Sequence, residues 1–149
     1  MKFLISLLFT ATLFTTCDLN PSKPTAPLTG TWQLISATST ERDSTYSTFD
    51  PKTKMIKIIT PTHFAFFNHD LQQGKDSTTA VFVAGGGEYT LKDSVYSEHL
   101  QYCNYREWED HKFDFVVDIR NDTLTQRGVE KLENLGIDRI IVEKYVRVK

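Results

Sequence analysis

The chain has 149 residues, 40% of them hydrophobic and 24% charged, with a formal charge of −2 and a pI near 6.1. That length fits one domain and that balance excludes wholesale disorder. The near-neutral charge argues against a nucleic-acid binder, and two cysteines cannot make a disulfide framework. The composition points to a binding protein or a structural module more than to an enzyme.

Residues 1–16 read as an export signal. Lys2 supplies a positive start, and Phe3 to Phe14 is an uncharged apolar run. That run is too short to span roughly 30 Å of hydrocarbon at 1.5 Å per residue. A buried N-terminal helix is the alternative, but the extreme N-terminal position and the small-residue exit fit a signal peptide. Cys17 follows directly. It resembles a bacterial lipoprotein lipobox, in which the thiol is acylated and becomes the new N-terminus. Phe14 and Thr16 stand where that pattern has a branched aliphatic and a small residue, and ordinary signal cleavage is the alternative. Residues 17–27 then form a lipidated cysteine and a proline-rich tether (DLNPSKPTAP), extended by composition. The expected location is the cell envelope. The chain would be exported and lipid-anchored at the outer membrane, on its periplasmic or surface face. Acylation of Cys17 leaves Cys103 without a partner in the chain.

Residues 28–149 read as one β domain. Alternating or β-branched runs predict strands over Gly30–Ser39, Met55–Thr60, His63–His69, Thr79–Ala84 and Gly87–Lys92. Further strands are predicted over Ser94–Cys103, Lys112–Arg120, Thr123–Gly128 and Asp138–Val148. Lys92-Asp93 and Asn121-Asp122 are hairpin turns, and Thr60-Pro61-Thr62 is another tight connection. Thr40–Lys54 is a polar loop, and Val129–Leu135 makes one or two helical turns stopped by Gly136. Consecutive strands joined by short hairpins predict an antiparallel up-and-down barrel of about eight to ten strands, because closure removes exposed edges. A two-sheet sandwich needs longer crossovers, and only Thr40–Lys54 is long enough to be one.

Leu28-Thr29-Gly30-Thr31-Trp32 resembles the Gly-x-Trp signature of lipocalins and the wider calycin group. In that group the tryptophan closes one barrel end and an arginine of the last strand packs over it, a role that falls to Arg147 here. A guanidinium stacks well on an aromatic face. A broader match runs through Ile56-Lys57-Ile58-Ile59-Thr60, His63-Phe64, Gly85 to Thr90, Tyr96-Ser97-Glu98 and Glu143 to Val148. It resembles the lipocalin-like domain family of exported and membrane-anchored Bacteroidota proteins. The resemblance implies a small calycin-like (lipocalin-like) barrel and no particular activity.

Strand alternation assigns the interior. If Arg147 reaches Trp32, then Glu143 and Tyr145 share its inward face. On the sixth predicted strand Tyr96, Glu98 and Tyr102 take the inner face, while His99 and Cys103 take the outer one. Lys57 and Tyr89 complete the candidate interior set. Charges inside a barrel are costly unless paired. The set is therefore either a structural ion-pair network or a wet cavity for a ligand with an apolar body and a polar end. Gly85-Gly86-Gly87 lacks the P-loop ending and a following helix, so it reads as a strand bend or bulge. Phe64-Ala65-Phe66-Phe67 puts large rings on both faces of one strand, so one face is covered by a loop or exposed for a partner.

Reaction-specific patterns are missing. There is no Gly-x-Ser-x-Gly elbow. His63 and His69, six residues apart, would lie roughly 20 Å apart along a strand, so no metal spacing is visible. The expectation is a non-catalytic protein without cofactor or metal that binds a small amphipathic or hydrophobic ligand. Its second contact is the membrane through the lipid anchor; the alternatives are a filled barrel serving as an interaction module with an envelope protein partner, and a small enzyme using Glu98 or Glu143. Trp108 and Tyr105, flanked by charges, suggest a lid over the barrel mouth.

Overall fold

The computed structural model describes residues 27–149. The predicted signal, Cys17 and all of the tether before Pro27 lie outside the described residues. Nine strands run in chain order: β1 (Gly30–Glu41), β2 (Ser44–Ser47), β3 (Thr53–Ile59), β4 (His63–Asp70), β5 (Phe82–Lys92), β6 (Val95–Cys103), β7 (His111–Arg120), β8 (Thr123–Leu132) and β9 (Ile137–Arg147). Each pairs antiparallel with its neighbour in the sheet, and β9 returns to pair with β1. The result is a closed eight-strand barrel with β2 added on the far half of β1, the all-β up-and-down calycin-like architecture expected from the sequence.

The differences have local causes. Thr40–Lys54 is not a plain loop: Arg42 turns with φ 54° and returns β2 onto β1. The polar β2, exposed at every residue, carries no apolar alternation to announce it. The two strands predicted on either side of Gly85-Gly86-Gly87 are one strand, β5, running through the glycines. β8 continues to Leu132, so the helical turn is confined to Glu133–Leu135, with Gly136 at φ 65° ending it. Asn121 and Asp122 both have positive φ, as a two-residue primed hairpin turn requires.

Two bulges reset the facing of strands. In β1 the register shifts between Leu34 and Ser36, so Ile35 turns out and Ala37 and Ser39 turn in. Between β5 and β6 it shifts between Gly86 and Glu88. Leu100 and Gln101 then oppose the single residue Gly87, and the alternation of β6 changes phase there. The Gln101 carboxamide oxygen accepts from the Glu88 amide across the bulge at 3.0 Å. A Cβ on Gly87 would lie 1.9 Å from the His99 carbonyl oxygen, so only glycine fits. The predicted bend is therefore a bulge.

The core lies inside the barrel. Trp32, Tyr96, Leu124 and Tyr145 have no exposed surface, and Phe113, Phe115, Val117 and Ile119 pack around them.

Candidate functional site

The interior is closed at one end by Trp32. Its indole Nε1 donates to the Leu28 carbonyl at 2.8 Å. The Arg147 guanidinium lies 4.1 Å from the Trp32 ring centroid and donates to the carbonyls of Thr29 and Pro27. β1 and β9 set this up by pairing Trp32 directly with Arg147. Gly30 is part of the same device: a Cβ there would stand 2.5 Å from Arg147 Nη1. The φ of Gly30, 141°, also lies where glycine is favoured, so the arginine crosses the chain at a position that disfavours a side chain.

Lys57 occupies the centre. It is almost fully buried, and its Nζ donates to Glu98 Oε1 at 2.8 Å and to Gln126 Oε1 at 3.0 Å. The rings of Phe64, Tyr96 and Tyr145 surround the ammonium with centroids 5.6–5.8 Å away. Charge pairing, a neutral acceptor and three π faces together replace the water a buried ammonium gives up. Tyr89 packs on Tyr96 at 5.0 Å between centroids and donates its hydroxyl to the Thr60 carbonyl.

Glu143 stands next to this cluster on β9, paired across the strands with Ala37 and Gln126. Its Oε2 accepts from the Tyr145 hydroxyl at 2.6 Å. No lysine or arginine forms a salt bridge to it among the described residues. Burial pushes its carboxyl above the ordinary carboxylate range. Lys57 and the Tyr145 hydroxyl pull it back, and the charges of Glu130 and Glu98 push it further up. Burial likewise raises the Tyr96 and Tyr145 hydroxyls, with Glu98 and Glu143 as the next causes. Three further polar atoms are buried without a hydrogen-bond partner: Ser39 Oγ, Asn68 Oδ1 and Tyr96 OH. All three belong to the inward-facing sets of β1, β4 and β6.

At the opposite end stands Trp108, in the short turn Arg106–Trp108 and packed against the core. Its ring packs on Phe113 at 6.0 Å, and the Arg139 guanidinium lies 5.7 Å from its centroid. Arg139 is in turn held by Glu130 Oε2 at 2.7 Å. The Cys103 amide and Arg106 both donate to Glu109 Oε1, and His99 bonds Asp110 at 2.7 Å, fastening the segment to β6.

Lys57, Tyr89, Tyr96, Glu98, Glu143 and Tyr145 are thus brought together inside, and Trp32 and Arg147 meet at one end. Tyr102 is not inside: it is 67% exposed on the outer wall. The β6 bulge at Leu100–Gln101 reverses the alternation, so Cys103 takes the inward position and its thiol is buried, while His99 stays outside. Burial raises the Cys103 thiol, which makes it a poor nucleophile at neutral pH. Sequence reasoning missed Gln126, Glu130 and Arg139. Gln126 shares the Leu124 face within the predicted strand Thr123–Gly128, Arg139 shares the face of Ile141 and Glu143 within Asp138–Val148, and only Glu130 needs β8 to run past Gly128. Among the described residues no three His, Cys, Asp or Glu side chains are grouped to hold a metal. No protein-family model matches the chain, and no curated protein is significantly similar to it.

Proposed function

We propose that the barrel binds a small amphipathic molecule without transforming it, and that the protein works as an exported, lipid-anchored binding module of the cell envelope. The observation that carries the ligand reading is Glu143, an interior carboxyl with no cation partner. In its protonated form it donates one hydrogen bond and accepts others, which suits a neutral polar group such as a hydroxyl or carbonyl. Ser39 Oγ, Asn68 Oδ1 and Tyr96 OH are unused polar atoms on the same interior surface. The apolar body of the ligand would lie against Phe66, Phe113 and Ile141, with Tyr145 and Glu143 orienting its polar end. Lys57 and Glu98 hold each other and act as the charged floor of the site rather than as its reactive part. The anchor rests on the sequence: the apolar run before Cys17 and the proline-rich tether behind it.

A second reading is a filled barrel serving as an envelope interaction module. It is favoured by the mutual satisfaction of Lys57, Glu98 and Gln126, the pattern of a structural network.

Native mass spectrometry on the gently purified chain separates the two. A reproducible extra mass, lost on unfolding and absent from Glu143→Leu, supports the ligand barrel. A clean mass in both proteins moves the weight to the filled barrel. Fatty-acid labelling in cells, abolished by Cys17→Ser, tests the anchor.

A further inference from the structure

The interior is not packed alike along its length. Around Lys57 it is tight: Trp32, Tyr96, Leu124 and Tyr145 keep no exposed surface, and Gln126 almost none. From the level of Glu143 toward Trp108 it loosens. Met55, Asn68, Val83, Arg139 and Glu143 all face inward by the strand register, yet each is only half-buried. Two uncharged oxygen atoms of this region, Ser39 Oγ and Asn68 Oδ1, are buried with no hydrogen-bond partner. The Tyr145 hydroxyl occupies Oε2 of Glu143 and leaves Oε1 open.

Ser39 and Glu143 share one wall. β1 and β9 pair Ser39 with Ile141 and Ala37 with Glu143. The two polar side chains are therefore diagonal neighbours, roughly 7–8 Å apart at Cβ. Adjacent polar groups of one ligand can meet both. β3, β4 and β5 contribute Met55, Phe66 and Val83, an apolar wall beside them.

The charges select the head group. Each interior cation is already engaged: Lys57 by Glu98 and Gln126, Arg139 by Glu130, and Arg147 by the carbonyls of Thr29 and Pro27. A carboxylate or phosphate head would find no free cation and would face Glu143, Glu130 and Glu98. An ammonium head would enter an interior that already holds Lys57 and Arg139, beside a carboxyl that burial pushes toward its neutral form. A hydroxyl both donates and accepts, so it can complete an alcohol oxygen, a carboxamide oxygen and a protonated carboxyl alike. We infer that the site takes an uncharged amphiphile with adjacent hydroxyl groups, a vicinal diol or glycerol head on an aliphatic chain, with its head at Ser39 and Glu143 and its chain along Phe66 and Met55. This inference rests on the ligand reading above and narrows it to one class of head group.

The test uses three ten-carbon probes that share a chain and differ in the head: decane-1,2-diol, decanoate and decylamine. Each is titrated into the purified full chain at pH 7 by calorimetry, and each is set to displace the neutral dye N-phenyl-1-naphthylamine. The diol should bind at least about tenfold more tightly than either charged probe. Ser39→Ala removes a hydroxyl that has no partner in the fold, so its melting temperature should not fall, while diol affinity drops by about threefold or more. Equal or tighter binding of decanoate or decylamine would overturn the head-group class and leave the ligand reading standing. So would a dye that binds and is displaced by none of the three. Unchanged diol affinity in Ser39→Ala would overturn the placement of the head, and a lowered melting temperature would do the same by showing that the hydroxyl is already partnered. No binding of the dye or of any probe would overturn the inference and the ligand reading together, in favour of the filled barrel.

Discussion

Two interior residues, Lys57 and Glu143, sit close together yet respond oppositely to substitution. Lys57 is fully engaged, so Lys57→Met strands the Glu98 carboxylate in a dry interior, at a cost of about 3–5 kcal/mol. Adding Glu98→Leu removes the stranded charge and should return more than half of that loss, read as the urea midpoint of the double variant against the single one. Additive losses would show that the pair is not coupled. Glu143 lacks a cation, and burial raises its folded pKa above the ordinary 4.5. Below pH 4.5 the folded and unfolded chains both hold this proton, and the group is neutral to stability. As pH rises from there to the folded pKa, the unfolded chain releases its proton first. Native stability falls over that window and stays lowered above it. Glu143→Gln keeps an acceptor for the Tyr145 hydroxyl and removes the titration. Its melting temperature should match wild type near pH 4 and exceed it by about 3 °C or more at pH 8. Identical curves at both pH values would mean that the fold does not raise the Glu143 carboxyl above its ordinary range.

At the level of strands, the bulge between β5 and β6 decides which side chains the interior receives. Alternation in the sequence made most of the interior legible: Lys57, Tyr96, Glu98, Glu143 and Tyr145 all follow from a period of two, and Trp32 with Arg147 from the pairing of the first and last strands. The same rule failed at Tyr102 because period two holds only between bulges. Nothing in Leu100-Gln101-Tyr102 marks an inserted residue; the signal sits on the partner strand, in the glycine opposite. β2 was illegible for a different reason, since an all-exposed hairpin arm has no hydrophobic pattern to read. Glu130 is hidden by the end of β8, whose Val129–Leu132 stretch also fits a helical period, whereas Arg139 lies within the predicted last strand on the face of Ile141 and Glu143. The bulge predicts that Gly87→Ala, whose Cβ meets the His99 carbonyl, destabilises by about 2–4 kcal/mol. Thr90→Ala, exposed three residues along the same strand, should stay within about 0.5 kcal/mol by chemical denaturation. A mild effect at Gly87 would mean that β6 can shed its bulge and return Tyr102 to the interior.

Across the whole molecule, each barrel end carries an arginine over a tryptophan, but the two pairs are not equivalent. Trp32 has no exposed surface, bonds Leu28, and lies under an arginine that also ties down the Thr29 and Pro27 carbonyls. Trp108 is only partly buried, belongs to a three-residue turn, and rests on Phe113 and Arg139. Truncating the first removes a ring from the packed core, so Trp32→Ala should cost about 3–5 kcal/mol. Truncating the second removes a cover. Trp108→Ala should cost less than about 2 kcal/mol, because part of its surface is already in water and the segment remains fastened through Glu109 and Asp110. Hydrogen exchange should then differ in pattern as well as in size. Trp108→Ala would speed exchange in β8 and β9 near Glu130 and Arg139 and leave the Trp32 end protected. Trp32→Ala would lower protection throughout, as loss of global stability does. If a ligand occupies the interior, the same Trp108→Ala change should weaken its retention in native mass spectrometry, since the Trp108 segment covers that end. Unchanged retention with faster exchange at Glu130 would put the ligand's route elsewhere, and equal stability losses for the two tryptophans would remove the distinction between core and cover.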